Sequence, residues 1–404
     1  MKQLTWLNLI LNLVFILTAI SSCSQTHFRS TNYTYQVPKQ IEDGLVIDNL
    51  TNSGIDTNQI IQLTKLILAD SFPNIHSLLI AKDNKLVYEN YFDGKDENWG
   101  SNLGYAKHDT NILHDTRSIS KSVVAACIDI VIQQQKIKSI DDPIFNYLPG
   151  YTKYKTPQNE AITIKHLLTM SSGIKWDENV PHGTSSNSET QMERSINPVE
   201  YVLSQPMDTV PGKVWKYNSG GVQVLAEILR NVSGGNIDLF AAKYLFAPLG
   251  IKEYKWTYSS NMAIWFHLNK LFSKRRKFPA AASGLRLTSR DLLKFGLLYL
   301  NNGKWNGNQI LSENWVNETL KTKILRDTAT SVTNGYSYLF WTQTDTVNDK
   351  QFQLITARGN GGQRIFINKA SNFIVVITAG NYNKSGIKND GQLALDKYIL
   401  SALR

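Results

Sequence analysis

Ser118-Ile119-Ser120-Lys121 sets a hydroxyl and an amine three positions apart, at the head of an apolar run from Val123 to Ile132 that only Asp129 interrupts. On a helix, positions i and i+3 share a face, so the Lys121 amine can reach the Ser118 oxygen. A helix that is apolar on nearly every side is buried. Burial disfavours the ammonium form, lowers the lysine pKa and makes neutral amine available as a base. Such a base turns a serine into a nucleophile without histidine. The same Ser-x-x-Lys spacing recurs at Ser172–Lys175 and Ser385–Lys388, so spacing alone is not diagnostic. Neither repeat opens a long apolar run, and both sit in Gly-containing segments that read as helix ends or loops.

Two further segments could complete such a site. Pro211-Gly212 marks a turn, and Tyr217 follows in the short polar stretch Lys216-Tyr217-Asn218-Ser219, just ahead of an apolar-periodic helix from Val222 to Val232. A tyrosine there can pass a proton between nucleophile and leaving group, given a nearby ammonium to lower its pKa. With 18 tyrosines in the chain, a core tyrosine with a satisfied hydroxyl is the competing reading. The third segment is Arg358-Gly359-Asn360-Gly361-Gly362-Gln363, leading into a strand at Arg364–Asn368. Glycines let backbone approach a ligand closely. A strand-edge amide beside a helix-terminal amide makes an oxyanion hole, each donor worth about 10²–10³ in rate. Phosphate cradling fits poorly, because no Lys-Ser/Thr follows and the run enters a strand rather than a helix.

Other chemistries find less support. The 7 histidines form no His-Glu-x-x-His pattern and no Cys/His cluster along the chain, so neither a metal site nor a cofactor is expected. No Gly-x-Ser-x-Gly elbow occurs, which weighs against an α/β-hydrolase triad. His166 and Cys127 read as structural residues, Cys127 as a core thiol with nothing nearby to stabilise a thiolate.

The elements that must position these residues can be read coarsely. Ser77–Ile80 and Leu86–Phe92 form a hairpin around the turn-like Lys82-Asp83-Asn84-Lys85. From 118 to about 324 the signals are mostly helical. Thr163 caps a helix over Ile164–Met170 that Gly173 stops, and Thr288 opens another through Leu292–Leu300. Strands return at Phe352–Thr356, Arg364–Asn368 and Phe373–Ala379, and Leu393–Leu403 reads as a closing helix. The expectation is an α+β fold: a largely antiparallel sheet from about 74–117 and 325–404, flanked by helices, with a helical region inserted.

At the N-terminus, Lys2 precedes an apolar stretch, Leu7 to Ile20, that ends in Ile20-Ser21-Ser22-Cys23. The stretch is short for a membrane span and is followed by small residues, so 1–23 reads as an export signal. The cysteine after Ile-Ser-Ser resembles a bacterial lipoprotein signal, with Cys23 lipidated. A plain cleaved signal peptide with an incidental cysteine is the alternative. The lipoprotein reading predicts a periplasmic or outer-membrane protein held to the membrane by its lipid, with residues 24–60 as tether and lead-in and 61–404 as the folded domain. With Cys127 the only other cysteine, no intramolecular disulfide is expected despite an oxidising compartment. The net charge of +10 is spread along the chain, and its densest run, Lys274-Arg275-Arg276-Lys277, is short and free of interleaved aromatics. Nucleic acid is therefore not the expected partner.

Taken in order, several segments resemble the class C-like branch of the serine β-lactamase and penicillin-binding-protein superfamily, whose signature joins Ser-x-x-Lys to a Lys-Thr-Gly strand. They are Ser118–Lys121, Ile162–Gly173, Pro211–Ser219 and Ala282–Leu292, and the resemblance runs from about Asn74 to the C-terminus. Met170 and the Gly-Asn-Gly-Gly-Gln run are most similar to 6-aminohexanoate-dimer hydrolases and related esterases. The resemblance implies a β-lactamase/transpeptidase-like fold, with Ser118 as nucleophile, Lys121 as base and Tyr217 as proton relay. It further implies an oxyanion hole from the backbone N–H groups of Ser118 and Asn360, with Gly359, Gly361 and Ser219 as substrate contacts. Two positions depart from the pattern. Ser219 stands where the family motif ends in Asn, and Ala357-Arg358-Gly359 replaces Lys-Thr-Gly. The lysine that would receive a β-lactam carboxylate is missing, and Arg358 is one position off, facing the other side of the strand. The implied activity is hydrolysis of an amide or ester through an acyl-enzyme. A true β-lactamase, a D-amino-acid peptidase, or a catalytically silent envelope-binding protein on the same fold are the alternatives. The loops Trp176–Ser195 and Tyr336–Trp341 would wall the pocket.

Overall fold

The computed structural model describes residues 32–258, 277–326, 334–384 and 390–403. Cys23 and the export signal, the repeat Ser385–Lys388 and most of the basic run at 274–277 lie outside the described residues.

A nine-stranded sheet forms the centre, in the order β1-β3-β2-β16-β15-β14-β13-β12-β11. Its N-terminal members are β1 (Val46–Ile47), β2 (Ile75–Lys82) and β3 (Lys85–Tyr91). The rest come from the end of the chain: β11 (Ile324–Leu325), β12 (Asn334–Tyr336), β13 (Trp341–Val347), β14 (Lys350–Gly359), β15 (Gln363–Asn368) and β16 (Phe373–Ala379). All pairings are antiparallel except β1 with β3. The β2–β3 strands run closer together than the turn residues suggest. Asp83 and Asn84 both take left-handed φ (51° and 64°), the two-residue turn whose twist matches a hairpin.

Period-two alternation splits the sheet between two cores. Leu79 and Ala81 of β2, with Ile374 and Val376 of β16, face the larger core that holds the inserted helices. Leu78, Ile80, Phe373, Val375 and Ile377 face a second core. The Thr57–Leu68 helix and the C-terminal segment Leu395–Leu400 cover that second face. The Ser289–Leu300 helix packs on β15 and β16 from the other side. Among the described residues no helix is long and apolar enough to cross a membrane.

Two expectations change. The segment 94–115 does not extend the main sheet. β4 (Gly94–Asn98) and β5 (Ser101–Ala106) pair only with each other, while β6 (His114–Asp115) joins β8 (Leu285–Leu287) and β7 (Lys255–Trp256) in a small sheet. Beside β2 the sheet is closed by β3 and β16, and β1 pairs with the Lys85–Leu86 end of β3. Nor is the lead-in a free tether from Asn32 onward. Leu45 and Leu50 are core residues, and the Tyr35 hydroxyl donates to the Val87 carbonyl (2.9 Å) while accepting from the Leu50 N–H. Arg290, itself buried, reaches from the Ser289–Leu300 helix to the Lys39 carbonyl and to Asp43 and Glu89.

Candidate active site

Ser118 is the residue at which the chain turns into the Ile119–Gln133 helix, and its side chain makes no capping bond. The hydroxyl is left for chemistry. The turn is held tightly around it. Arg117 adopts φ 50°, a conformation costly for a long non-glycine residue and sustained only by its surroundings. Those surroundings are Glu97 and Asp115, which pair with its guanidinium, and the rings of Trp99 and Tyr382, each 4.8 Å from it. Ser120 ties the turn to β8, donating to the Arg117 carbonyl (2.6 Å) and accepting from the Leu285 N–H (3.2 Å).

Lys121 lies one turn on, 1% exposed, with Nζ 2.9 Å from Ser118 Oγ and 2.9 Å from the Ala282 carbonyl oxygen. The carbonyl can only accept, so it fixes one N–H and leaves the rest of the amine facing Oγ. Burial lowers the Lys121 pKa, while the carboxylates of Glu189, Glu178 and Glu193 act to raise it. The thirteen residues from Ile119 to Val131 are all buried, so the desolvation expected from the apolar run is present.

Tyr217 lies beside the pair: Lys121 Nζ stands 4.9 Å from its ring centroid, and Ser118 is near enough to act on the titration of its hydroxyl. Its pKa, however, moves upward, driven first by burial and then by the negative charge of Glu178. The expectation of a tyrosine acidified by an ammonium is corrected: Tyr217 is a neutral phenol at rest. The segment carrying it is set by Met170, which takes left-handed φ (58°), accepts from Lys216 N–H through its carbonyl (2.8 Å) and from Asn218 N–H through Sδ (3.2 Å). Asn218 caps the Ser219–Ser233 helix through Gly221 N–H (3.0 Å).

Ser219 has a different task from the one expected. It is fully buried, and both its N–H and its hydroxyl donate to Glu178 (2.5 and 2.9 Å). It therefore positions that carboxylate instead of meeting substrate. Glu178, which also accepts from the Trp176 indole N–H, has its pKa pushed up to about 7 by burial and by Glu189. With Glu189 and Glu193, on one face of the Ser188–Arg194 helix, it places an acidic wall beside Lys121. Sequence reasoning named the Trp176–Ser195 loop as pocket wall but missed these carboxylates. The Trp176-Asp177-Glu178 triplet offered no spacing to tie it to Ser118.

The glycine run ends β14 against the turn that carries Ser118. A Cβ on Gly359 would lie 2.2 Å from the Thr116 carbonyl oxygen, two residues before Ser118. Gly361 (φ 90°) is bare because a Cβ would strike the Tyr382 ring at 2.4 Å. The Asn360 side chain is paired with Asn383 (2.6 and 3.0 Å), which leaves its backbone as the part able to face the serine. Arg358 packs on Trp341 at 5.2 Å and binds Gln343. Trp341 in turn stacks on Tyr217 (5.7 Å, 24°) and meets Trp215 and Tyr336, making an aromatic wall. The Ser172–Lys175 repeat is not a pair: Ser172 is buried and accepts from Ile174 N–H, whereas Lys175 is exposed. His166 caps its own helix with Thr163, a structural role as expected. Cys127 is a buried free thiol whose pKa burial drives upward.

The family model described as Beta-lactamase matches residues 76–397. The chain belongs to the beta-lactamase family. Membership fixes the lineage and the fold, not the substrate. An uncharacterized protein of Alkalihalophilus pseudofirmus is 26% identical over 243 residues, 58% of this chain and 61% of that protein. The chain spans less than two thirds of the curated relatives it matches. Among solved structures, a "putative 6-aminohexanoate-dimer hydrolase" from Bacillus anthracis is similar at TM-score 0.63 and 18% identity, over 91% of this chain and 88% of that one. EstCE1, a hydrolase with promiscuous acyltransferase activity, is similar at TM-score 0.65 and 15% identity, over 86% and 98%. At these identities the likeness is one of fold. The α+β, β-lactamase/transpeptidase-like architecture is thereby established.

Proposed function

We propose that this chain is a serine hydrolase that cleaves an amide or ester through an acyl-enzyme on Ser118. The observation carrying the reading is the placement of Lys121 Nζ 2.9 Å from Ser118 Oγ, with the Ala282 carbonyl holding a second amine proton. Ser118 Oγ attacks the carbonyl carbon and its proton passes to neutral Lys121. The oxyanion is met by backbone N–H groups at Ser118 and Asn360. Tyr217, protonated at rest, gives its proton to the departing amine or alcohol and recovers one from Lys121. Water then takes the leaving group's place, and the same groups run the steps in reverse to free the acid.

Esters and unstrained amides fit better than β-lactams. Arg358 occupies the strand where a carboxylate-binding lysine would stand, yet it is engaged with Gln343 and Trp341. The walls formed by Trp215, Tyr217, Tyr336 and Trp341 suit an apolar acyl group. The reading includes export and a lipid anchor at Cys23, which would hold the domain at the envelope surface. The test is covalent labelling by a fluorophosphonate together with turnover of p-nitrophenyl esters. Ser118→Ala is expected to abolish labelling and cut kcat by roughly 10⁴–10⁶. A Ser118→Ala chain that turns over at the wild-type rate refutes the assignment.

A further inference from the structure

Three of the histidines, scattered in sequence, meet in space. His76 on β2, Asp96 on β4, His108 in the loop after β5 and His114 on β6 are all buried, and one ligand atom from each lies within 4.8 Å of all the others. The imidazoles form a stack: His76 and His108 are 3.8 Å apart at 16°, and His108 and His114 are 5.0 Å apart at 23°. Nothing in the hydrolytic mechanism uses these groups, and an apolar core would fill the space more cheaply than three imidazoles and a carboxylate.

The hydrogen bonds around the stack fix how it can act. His76 Nε2 lies 3.1 Å from the Lys95 carbonyl oxygen, which can only accept. Nε2 therefore carries the proton and Nδ1 carries a lone pair. This is the outer-shell pattern of metal-bound histidine, whose second nitrogen donates to a carbonyl or carboxylate. His114 is fully buried, with Nδ1 lacking a hydrogen-bond partner and Nε2 3.5 Å from Thr378 Oγ1. Asp96 is 5% exposed, and its Oδ1 accepts from Glu97 N–H (2.8 Å). The packing around His76 is stripped of side chains. A Cβ on Gly94 would lie 2.8 Å from its ring, and one on Gly380 would lie 2.6 Å from it.

We infer that His76, Asp96, His108 and His114 form a structural binding site for one divalent transition metal, of which Zn²⁺ fits best. Three imidazoles and one carboxylate suit a four-coordinate ion of intermediate softness and exclude Ca²⁺ and Mg²⁺, which take oxygen ligands. Bonds of about 2.0–2.1 Å place tetrahedral ligand atoms about 3.3 Å apart, so atoms now within 4.8 Å of one another would draw in by at most about 1.5 Å, the difference of those distances. Four protein ligands leave no open position, which marks the site as structural rather than catalytic. It would staple β2, the β4–β5 hairpin and β6 together. His114 is four residues before Ser118, and its neighbour Asp115 holds Arg117, so the staple would brace the strained turn that presents the nucleophile.

The test uses the purified chain without an affinity tag, stripped with a chelator, dialysed and offered equimolar Zn²⁺ or Co²⁺. About one ion per chain is expected. The unfolding temperature should rise with Zn²⁺, as for any ligand of the folded state, and Co²⁺ should give the visible bands of a four-coordinate ion. His108→Gln and Asp96→Asn should lose stoichiometric uptake. Should either variant fail to fold, the wild-type Co²⁺ spectrum and metal-dependent unfolding still decide. A wild-type chain that stays metal-free, with an unchanged unfolding temperature, overturns the inference. So does full uptake by folded His108→Gln and Asp96→Asn, which would put the ion elsewhere.

Discussion

The most exposing test of the site's geometry is Gly359→Ala. Gly359 does not take a left-handed backbone, so alanine suffers no conformational penalty there, and only space is at issue. Its Cβ would stand 2.2 Å from the Thr116 carbonyl oxygen, whereas ordinary contact begins at 3.4 Å. The end of β14 and the turn before Ser118 must therefore part by about 1.2 Å, the difference of those two distances. Overpacking of this kind costs about 1–3 kcal/mol of stability. The effect on turnover should be larger in kind. The displacement separates the Asn360 amide from the Ser118 amide, and misplacement by about 1 Å costs roughly 10²-fold. The loss of one oxyanion donor falls in the same range, about 10²–10³. The assay is kcat/KM on a p-nitrophenyl ester beside the thermal unfolding curve. Gly235→Ala serves as control, since its Cβ would meet nothing within 4 Å. The expected result is a folded Gly359→Ala protein with kcat/KM down at least about 10²-fold and a Gly235→Ala protein like wild type. If Gly359→Ala keeps wild-type kcat/KM, the strand end does not contribute to the oxyanion site and the proposed hole is wrong.

Other perturbations probe the base and the frame. Lys121 works as a base only when neutral, and burial lowers its pKa, so kcat/KM should climb with pH to a plateau reached below the ordinary lysine range. A rate that keeps rising through pH 10, about where an unperturbed lysine titrates, would contradict that. Glu178→Gln removes a charge that favours the Lys121 ammonium while keeping an oxygen for Ser219 N–H. The acid limb should move to lower pH by about one unit, the low end of what a nearby opposite charge does, and a shift to higher pH would reverse the assignment. Arg290→Met leaves Glu89 and Asp43 without their buried partner and should cost about 3–5 kcal/mol in urea unfolding. A loss below about 1 kcal/mol would mean the pairs behave like exposed ones.

Much of the fold was legible because its signals are local. Thr163 and Thr288 announced their helices by capping, and both caps are made. The three late strands read as short β-branched runs sit in adjacent positions, β14, β15 and β16. The Ser219–Ser233 helix begins three residues before Val222, because Gly220 and Gly221 disguise its first turn as loop. Gly220 answers to packing. A Cβ on Gly220 would meet the Trp176 ring at 2.6 Å. The β4–β5 hairpin was illegible for another reason. It is polar and joins no other strand, so no hydrophobic alternation marks where it leaves the main sheet.

The site divides along the same line. Ser118 and Lys121 lie within one helical turn, so their contact is written in four residues. Glu178 comes to Lys121 through Ser219 and Trp176, a route spanning separate loops, and no periodicity records it. That omission reversed the sign of one inference. Counting only the ammonium made Tyr217 acidic, whereas burial and Glu178 make it a poorer acid than free tyrosine. The consequence is mechanistic. Two opposed effects meet at Lys121: burial pulls its proton off and the glutamates hold it on. Glu178, with its own pKa pushed up to about 7, loses or gains its charge where neutral-pH catalysis would run. As Glu178 ionises it raises both pKa values, holding Tyr217 as a protonated phenol and Lys121 toward the ammonium, so the neutral amine that takes the serine proton is the form that burial favours. That division of labour, one group ready to take the serine proton and another ready to give one to the leaving group, is what acyl transfer by this pair requires.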